Sequence, residues 1–208
     1  ENIESFHGPD GLTIFSQEWY ETDSNRDFIR GYGVQVTRGQ GPLISALGGF
    51  ALDIPWGENH HDRFEQLFGH VATLAIMMED LPRETNMIKL SETVRDRFDI
   101  PAPQMVYEVD DNSRRMAKHG IDRSTEVLRE AGTKEILTMD ILPNAGFHLM
   151  GTARMGNDPN RSITNGFGRT HDVSNLFVAD GSLFTTSAGV NPTPTIQALA
   201  LRVADHII

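Results

Sequence analysis

The stretch LFVADGSLFTTSAGVNPTPTIQALALRVADHII, residues 176–208, decides the fold. Its first four residues, Leu176-Phe177-Val178-Ala179, form a compact apolar run of strand length. Asp180 to Val190 is a loop of small residues. Beyond it, Ile196, Leu199, Ala200, Val203, Ala204 and Ile207 recur at i, i+3, i+4, i+7, i+8 and i+11, one stripe of a helix, with Gln197, Arg202 and Asp205 off it. Pro192 and Pro194 fit only the first turn or just before it, where a missing N–H leaves no helical bond unmade. The helix therefore starts near Asn191 to Thr193.

Upstream the pattern is sheet with helix. Phe28 to Arg38 alternates as a strand, and the Gly-rich stretch Gly39 to Gly49 after it reads as loop. Val71 to Met78 and Asn86 to Leu90 read as paired antiparallel strands, and Met105 to Val109 as one more short strand. Asp110 to Gly132 reads as a helix with acidic or Asn caps at its start and a Gly stop. The first 27 residues carry no clear pattern.

Composition narrows the function classes. The 208 residues contain no cysteine, which removes disulfides, thiolate zinc sites and thiol nucleophiles and leaves the compartment open. With 18 Lys and Arg against 29 Asp and Glu, the net charge of −11 repels a phosphate backbone, so nucleic acid is not an expected partner. No run approaches the roughly 18–20 apolar residues of a membrane-crossing helix. The chain starts at Glu1 without Met and ends at Ile208 inside a helical pattern, so a longer parent protein is expected.

Polar chemistry concentrates in His148-Leu149-Met150-Gly151-Thr152-Ala153-Arg154-Met155-Gly156, where glycines allow close approach of the backbone to another group. A lone histidine among apolar neighbours reads either as a hydrogen-bonded structural residue or as an acid/base group. The helix start after Ser187 to Thr195 presents unpaired N–H groups and the positive dipole end to whatever docks there. Asn191 or Thr193 could equally serve as its cap.

Taken together and in order, His148-x-x-Gly151-Thr152-x-x-Met155-Gly156, then Asn175 to Ser182, then Asn191-Pro192-Thr193 and a closing helix with Ala198, Leu199 and Ala200 resemble the C-terminal signature of the glucose-methanol-choline (GMC) family of flavoprotein oxidoreductases. Glu79-Asp80-Leu81-Pro82 and Tyr107 to Arg115 resemble that family's substrate domain more loosely. The resemblance implies an α+β fold in three parts. These are a lead-in (1–27), an antiparallel-sheet substrate domain with flanking helices (28–140), and a segment (141–208) that supplies the returning strand and helix of an FAD-binding, Rossmann-like domain.

It also implies roles. His148 matches the family's active-site histidine, which takes or positions the hydroxyl proton of an alcohol as hydride leaves carbon for FAD. An imidazole titrates near neutral pH and suits that task. Asn191 matches the second active-site position, where an amide holds the same oxygen without competing for its proton. Asp180 and Gly181 match the chain's return to the flavin domain, and Pro192 and Thr193 the helix start beneath the flavin, where fixed N–H donors stabilise negative charge as it develops.

The departure is that no Gly-x-Gly-x-x-Gly occurs; Gly31-Tyr32-Gly33 supplies two glycines inside a strand pattern. The missing N-terminal FAD-binding portion of the same protein is therefore an expected partner, with an alcohol or sugar as substrate and the electron acceptor open. The isolated 208 residues are expected to be inactive. Two rivals stand beside this reading: a non-catalytic module that keeps the signature as core, and a metal hydrolase built on His60, His61 and His70 with Glu58 and Asp62. Against the second, adjacent histidines point apart on helix and strand alike, so no metal is expected. Trp19, Trp56 and Tyr107 are candidate sugar-stacking residues, or equally core or interface.

Overall fold

The computed structural model describes residues 14–38, 41–47, 56–142 and 146–208. The chain divides into two compact units, Glu1–Met78 with Arg114–Ala145 and Glu79–Ser113 with Gly146–Ile208.

The first unit is built on a three-stranded antiparallel sheet of β1 (Ile14–Ser16), β2 (Tyr32–Arg38) and β3 (Ala72–Met78), in that order. The central strand pairs along its whole length with β3, Val34 opposite Ile76. Alternation puts Tyr32 and Val34 on one face, where they are buried with Phe28 and with Met116 of the long helix, against Trp19, Leu74, Ile76 and Met78. That helix, Asp111–Glu130, begins in the other unit and continues into this one. Gly120 is where it comes closest to the sheet, since a Cβ there would lie 2.9 Å from Cγ2 of Ile76.

Its ends obey the expected capping rules. At the start, Asp110 Oδ1 accepts from the Ser113 N–H at 2.7 Å. At the end, Gly132 has φ +80 and donates to the Arg129 carbonyl, while Thr133 donates to that of Leu128. This is the paired bond pattern by which a left-handed glycine stops a helix.

Two short helices complete the description: α1 (Pro42–Ala46), with Pro42 in its first turn, and α2 (His60–Leu67). The long helix Asp111–Glu130 is α3. α1 falls within the stretch read above as loop; one helical turn started by a proline suffices where glycines flank it. The rest of that stretch, residues 39–40 and 48–49, lies outside the described residues. The strand expected from Phe28 starts only at Tyr32. Arg30 takes φ 68, off the strand conformation, and Gly31 is so close to Tyr20 that a Cβ would overlap the Tyr20 carbonyl oxygen.

The second unit holds a hairpin of β4 (Met87–Arg95) and β5 (Pro101–Val106), and the C-terminal helix α4 (Thr193–Ile207). The pairing expected between the runs at 71–78 and 86–90 is corrected here: β3 pairs with β2, and β4 pairs with β5. Asp96 closes the hairpin turn by accepting from Phe98 and Ile100 at 2.8 and 3.0 Å. At the open end, the Asn86 side chain both donates to and accepts from the Glu108 backbone, at 3.1 and 3.0 Å. That clamp replaces the ladder, so Tyr107 to Val109, expected in the strand, leave it.

The strand expected at Leu176 to Ala179 is also corrected. A strand is defined by its neighbours, and among the described residues this segment forms a single bridge, Phe177 with Arg169, flanked by main-chain bonds from Thr170 to Leu176 and from Val178 to Gly168. On α4, Val203 is buried and Ile196, Leu199 and Ala200 are half-buried, whereas Ile207 and Leu201 are exposed. The predicted stripe is therefore covered over its first three turns.

Candidate active site

The Gly151–Met155 stretch of the His148 motif runs beside the Gly181–Leu183 turn. Gly151, Ala153 and Met155 donate in alternation to the carbonyls of Gly181, Ser182 and Leu183 at 3.2, 3.0 and 2.9 Å. Sequence separation of about thirty residues is thus closed by a short run of parallel-running main chain. Gly151 has φ +83, which an L side chain rarely adopts. Gly181 is buried, and a Cβ on it would sit 3.2 Å from both the Leu149 carbonyl oxygen and Cδ1 of Ile196, so glycine lets the His148 segment, the loop and α4 meet at one point.

Asp180 orders the turn that follows it. Its carboxylate accepts from the Ser182 hydroxyl at 2.5 Å and the Ser182 N–H at 2.8 Å, capping the 3-10 turn Gly181–Leu183. The same bonds, side-chain first, hold the carboxyl below the usual carboxylate range against the opposing effect of burial. Asp180 is therefore a charged turn-former.

His148 sits half-buried between exposed Phe147 and Leu149. Asn191 is exposed on the last loop residue before Pro192, which is buried and serves as N-cap of α4. The N-cap position of α4, which the alternative reading gave to Asn191 or Thr193, belongs to Pro192, whose ring has no hydroxyl or amide to offer as a cap. Ile196 N–H bonds the Pro192 carbonyl at 3.0 Å, and Thr193 is the first, exposed residue of the helix. A helix start carries N–H donors and positive potential suited to an outside acceptor.

Sequence reading missed a cluster around Asp80. Its Oδ2 accepts from the Tyr107 phenol at 2.6 Å and its Oδ1 from the buried Ser113 hydroxyl at 2.7 Å, while its main-chain carbonyl accepts from the Ser187 hydroxyl at 2.8 Å. Burial first, then the bond to Asp80 and its charge, push the Tyr107 phenol well above the ordinary tyrosine value, so it stays a neutral donor. The only sequence signal was that Asp80 and Tyr107 both fall in stretches with a loose family likeness. Tyr107 is thus neither core nor a free ring.

Elsewhere, Ser162 and His171 lie 3.0 Å apart, but the Ser162 hydroxyl donates to the Asp158 carbonyl at 2.6 Å and so accepts from the ring, which makes it a structural pair. The His60 and His61 rings, expected to point apart, meet edge to face at 5.7 Å with Trp56 stacked on His60 at 5.3 Å. Among the described residues no group of three or more His, Asp or Glu is placed to hold a metal.

The chain is thus a mixed α+β protein whose glycine-rich Gly151–Met155 stretch is laced to the Gly181–Leu183 turn. The chain belongs to the GMC oxidoreductase family, whose model matches residues 82–200. It is 42% identical over 207 residues to 2-methyl-1,2-propanediol dehydrogenase of Mycolicibacterium austroafricanum, covering 99% of this chain and 38% of that protein. It is 34% identical over 153 residues to the fructose dehydrogenase large subunit of Gluconobacter japonicus, covering 73% of this chain and 28% of the relative. Paromamine 6'-oxidase of Streptomyces fradiae is 34% identical over 153 residues, covering 72% of this chain and 28% of the relative. The chain thus spans less than two fifths of the length of these relatives.

Proposed function

We propose that this chain is the C-terminal, substrate-facing part of an FAD-dependent oxidoreductase that oxidises the CH–OH group of an alcohol or sugar. The observation that carries the reading is the lacing of the His148 segment to Gly181–Leu183, with Ile196 of α4 against Gly181, which gathers the signature motifs into one locus. Relatives named for a propanediol, for fructose and for paromamine support the substrate class. Residues 141–208 contribute to the flavin domain and 28–140 to the substrate domain.

The residues present fit a flavin. Pro192 at the N-cap of α4 offers the first turn no side-chain acceptor, and Gly151 and Gly181 keep side-chain bulk out of the locus. When bound, the flavin accepts a hydride from the substrate carbon. Asp180 and Gly181 shape the turn beside it, and Pro192 and Thr193 fix the helix start whose dipole favours negative charge. His148 takes the substrate hydroxyl proton on its imidazole, a task worth roughly 10²- to 10⁴-fold. Asn191 holds the same oxygen through its amide. Segments outside these 208 residues hold the FAD diphosphate.

The test is a visible spectrum of the flavin-loaded parent protein before and after anaerobic addition of a panel of alcohols and sugars. Bleaching by one of them supports the reading, and His148→Ala then slows bleaching by at least about 10²-fold. A parent that carries no flavin even after reconstitution, or an alanine variant that bleaches at the parental rate, would overturn the reading or the base assignment respectively.

A further inference from the structure

We propose that Asp80 is a positioning residue for this reaction, fixing through Ser187 the loop that delivers Asn191; the inference rests on the function proposed above. Asp80 follows β3 by two residues, and each of its three oxygens accepts a hydrogen bond. Tyr107, just past β5, and Ser113 in the first turn of α3 hold its two carboxylate oxygens at 2.6 and 2.7 Å, and Ser113 is itself held by Asp110. A side chain gripped from two elements fixes the peptide plane behind it, and it is that plane's carbonyl that receives the Ser187 hydroxyl at 2.8 Å.

Ser187 lies four residues before Asn191, in a stretch from Thr185 to Asn191 that has neither helix nor strand. A loop without ladder bonds keeps its course through such side-chain tethers. The Thr186 hydroxyl beside it is buried without a hydrogen-bond partner, so at this point the loop's polar fixation falls to Ser187. An amide that must meet one substrate oxygen is sensitive to small shifts: a misplacement of about 1 Å can cost about 10²-fold in rate.

The experiment uses the flavin-loaded parent protein and reads the rate of flavin reduction at saturating substrate, the substrate concentration at half-maximal rate, and thermal stability. Ser187→Ala is expected to slow reduction about tenfold with a smaller change in half-saturation and in melting temperature, and Ser187→Thr to restore the rate by returning the hydroxyl. Asp80→Asn, which keeps the shape and one good acceptor, is expected to fall between parent and Asp80→Ala. Because the tether acts through Asn191, adding Ser187→Ala to an Asn191→Ala variant should slow it little further.

A parental rate in Ser187→Ala, or a full additional loss in the double variant, would overturn the inference while leaving the oxidoreductase reading intact. A parent whose flavin no alcohol or sugar bleaches would remove that reading and this inference with it.

Discussion

At the scale of single residues, glycine carries the most specific demands, and two of them separate backbone strain from steric overlap. Gly132 and Gly168 both have positive φ, +80 and +72. A Cβ on Gly132 would meet nothing within 4 Å, so Gly132→Ala pays only the left-handed backbone cost of roughly 1–2 kcal/mol. A Cβ on Gly168 would lie 2.4 Å from the Val178 carbonyl oxygen and 2.8 Å from Cγ2 of buried Val203. Gly168→Ala therefore adds an overlap with main chain and with α4, and should cost roughly 2–5 kcal/mol. Urea unfolding of the two variants checks this; equal losses would mean that the 165–168 turn yields to the methyl group.

At the scale of elements, the joint between β2 and α3 rests on a titrating pair. The buried Tyr32 hydroxyl meets His119 Nδ1 at 2.8 Å. Burial keeps the phenol protonated, well above its ordinary value, so it donates and the ring accepts. His119 is held below the usual histidine value, by burial first and then by Arg123 and Arg26, with Asp122 and Asp27 opposing. A base whose folded value is depressed takes up protons more readily when unfolded. Stability should thus be full above the unfolded value of about 6.5 and fall as pH drops below it towards the folded value. Unfolding free energies at pH 7.5 and pH 5.5 measure the loss, and His119→Gln, which keeps an acceptor for Tyr32 but cannot titrate, should flatten it.

The same elements show what the sequence made legible. α3 could be placed because its cap and glycine stop are local, α4 because its prolines and apolar period are, and the wall of β2 and β3 because apolar patterning along a strand is local too. Strand partners were not: β3 and β4 are adjacent in sequence yet belong to different sheets, a choice set by the Asn86 clamp on Glu108 and by the pairing of β2. Leu176 to Ala179 has the composition of a strand without the neighbours to make it one. At the candidate site, the ordered motifs that carry His148, Asp180, Gly181 and Asn191 were readable, and the family they resemble is the one the chain belongs to. Asp80 was not readable, because its role comes from contacts to Tyr107, Ser113 and Ser187 that lie 27, 33 and 107 residues away.

At the scale of the whole molecule, the balance of exposed apolar surface bears on how the 208 residues behave alone. Both strands of the β4–β5 hairpin leave Met87, Ile88, Leu90, Val94 and Met105 largely in solvent, and a two-stranded hairpin without a covered face is marginal in water. Within the sequence no Gly-x-Gly-x-x-Gly offers a diphosphate cradle, so on the function proposed above these residues would supply to FAD only the turn at Asp180 and the start of α4. Such contacts would address only one end of a long cofactor, and binding energy for the rest would have to come from elsewhere. The 208-residue chain, purified alone and incubated with FAD, is therefore expected to elute from gel filtration without flavin and to reduce none on addition of the substrate that bleaches the parent. Stoichiometric yellow protein from the chain alone would show that the α4 end suffices to hold the cofactor, and would move the diphosphate site into these residues.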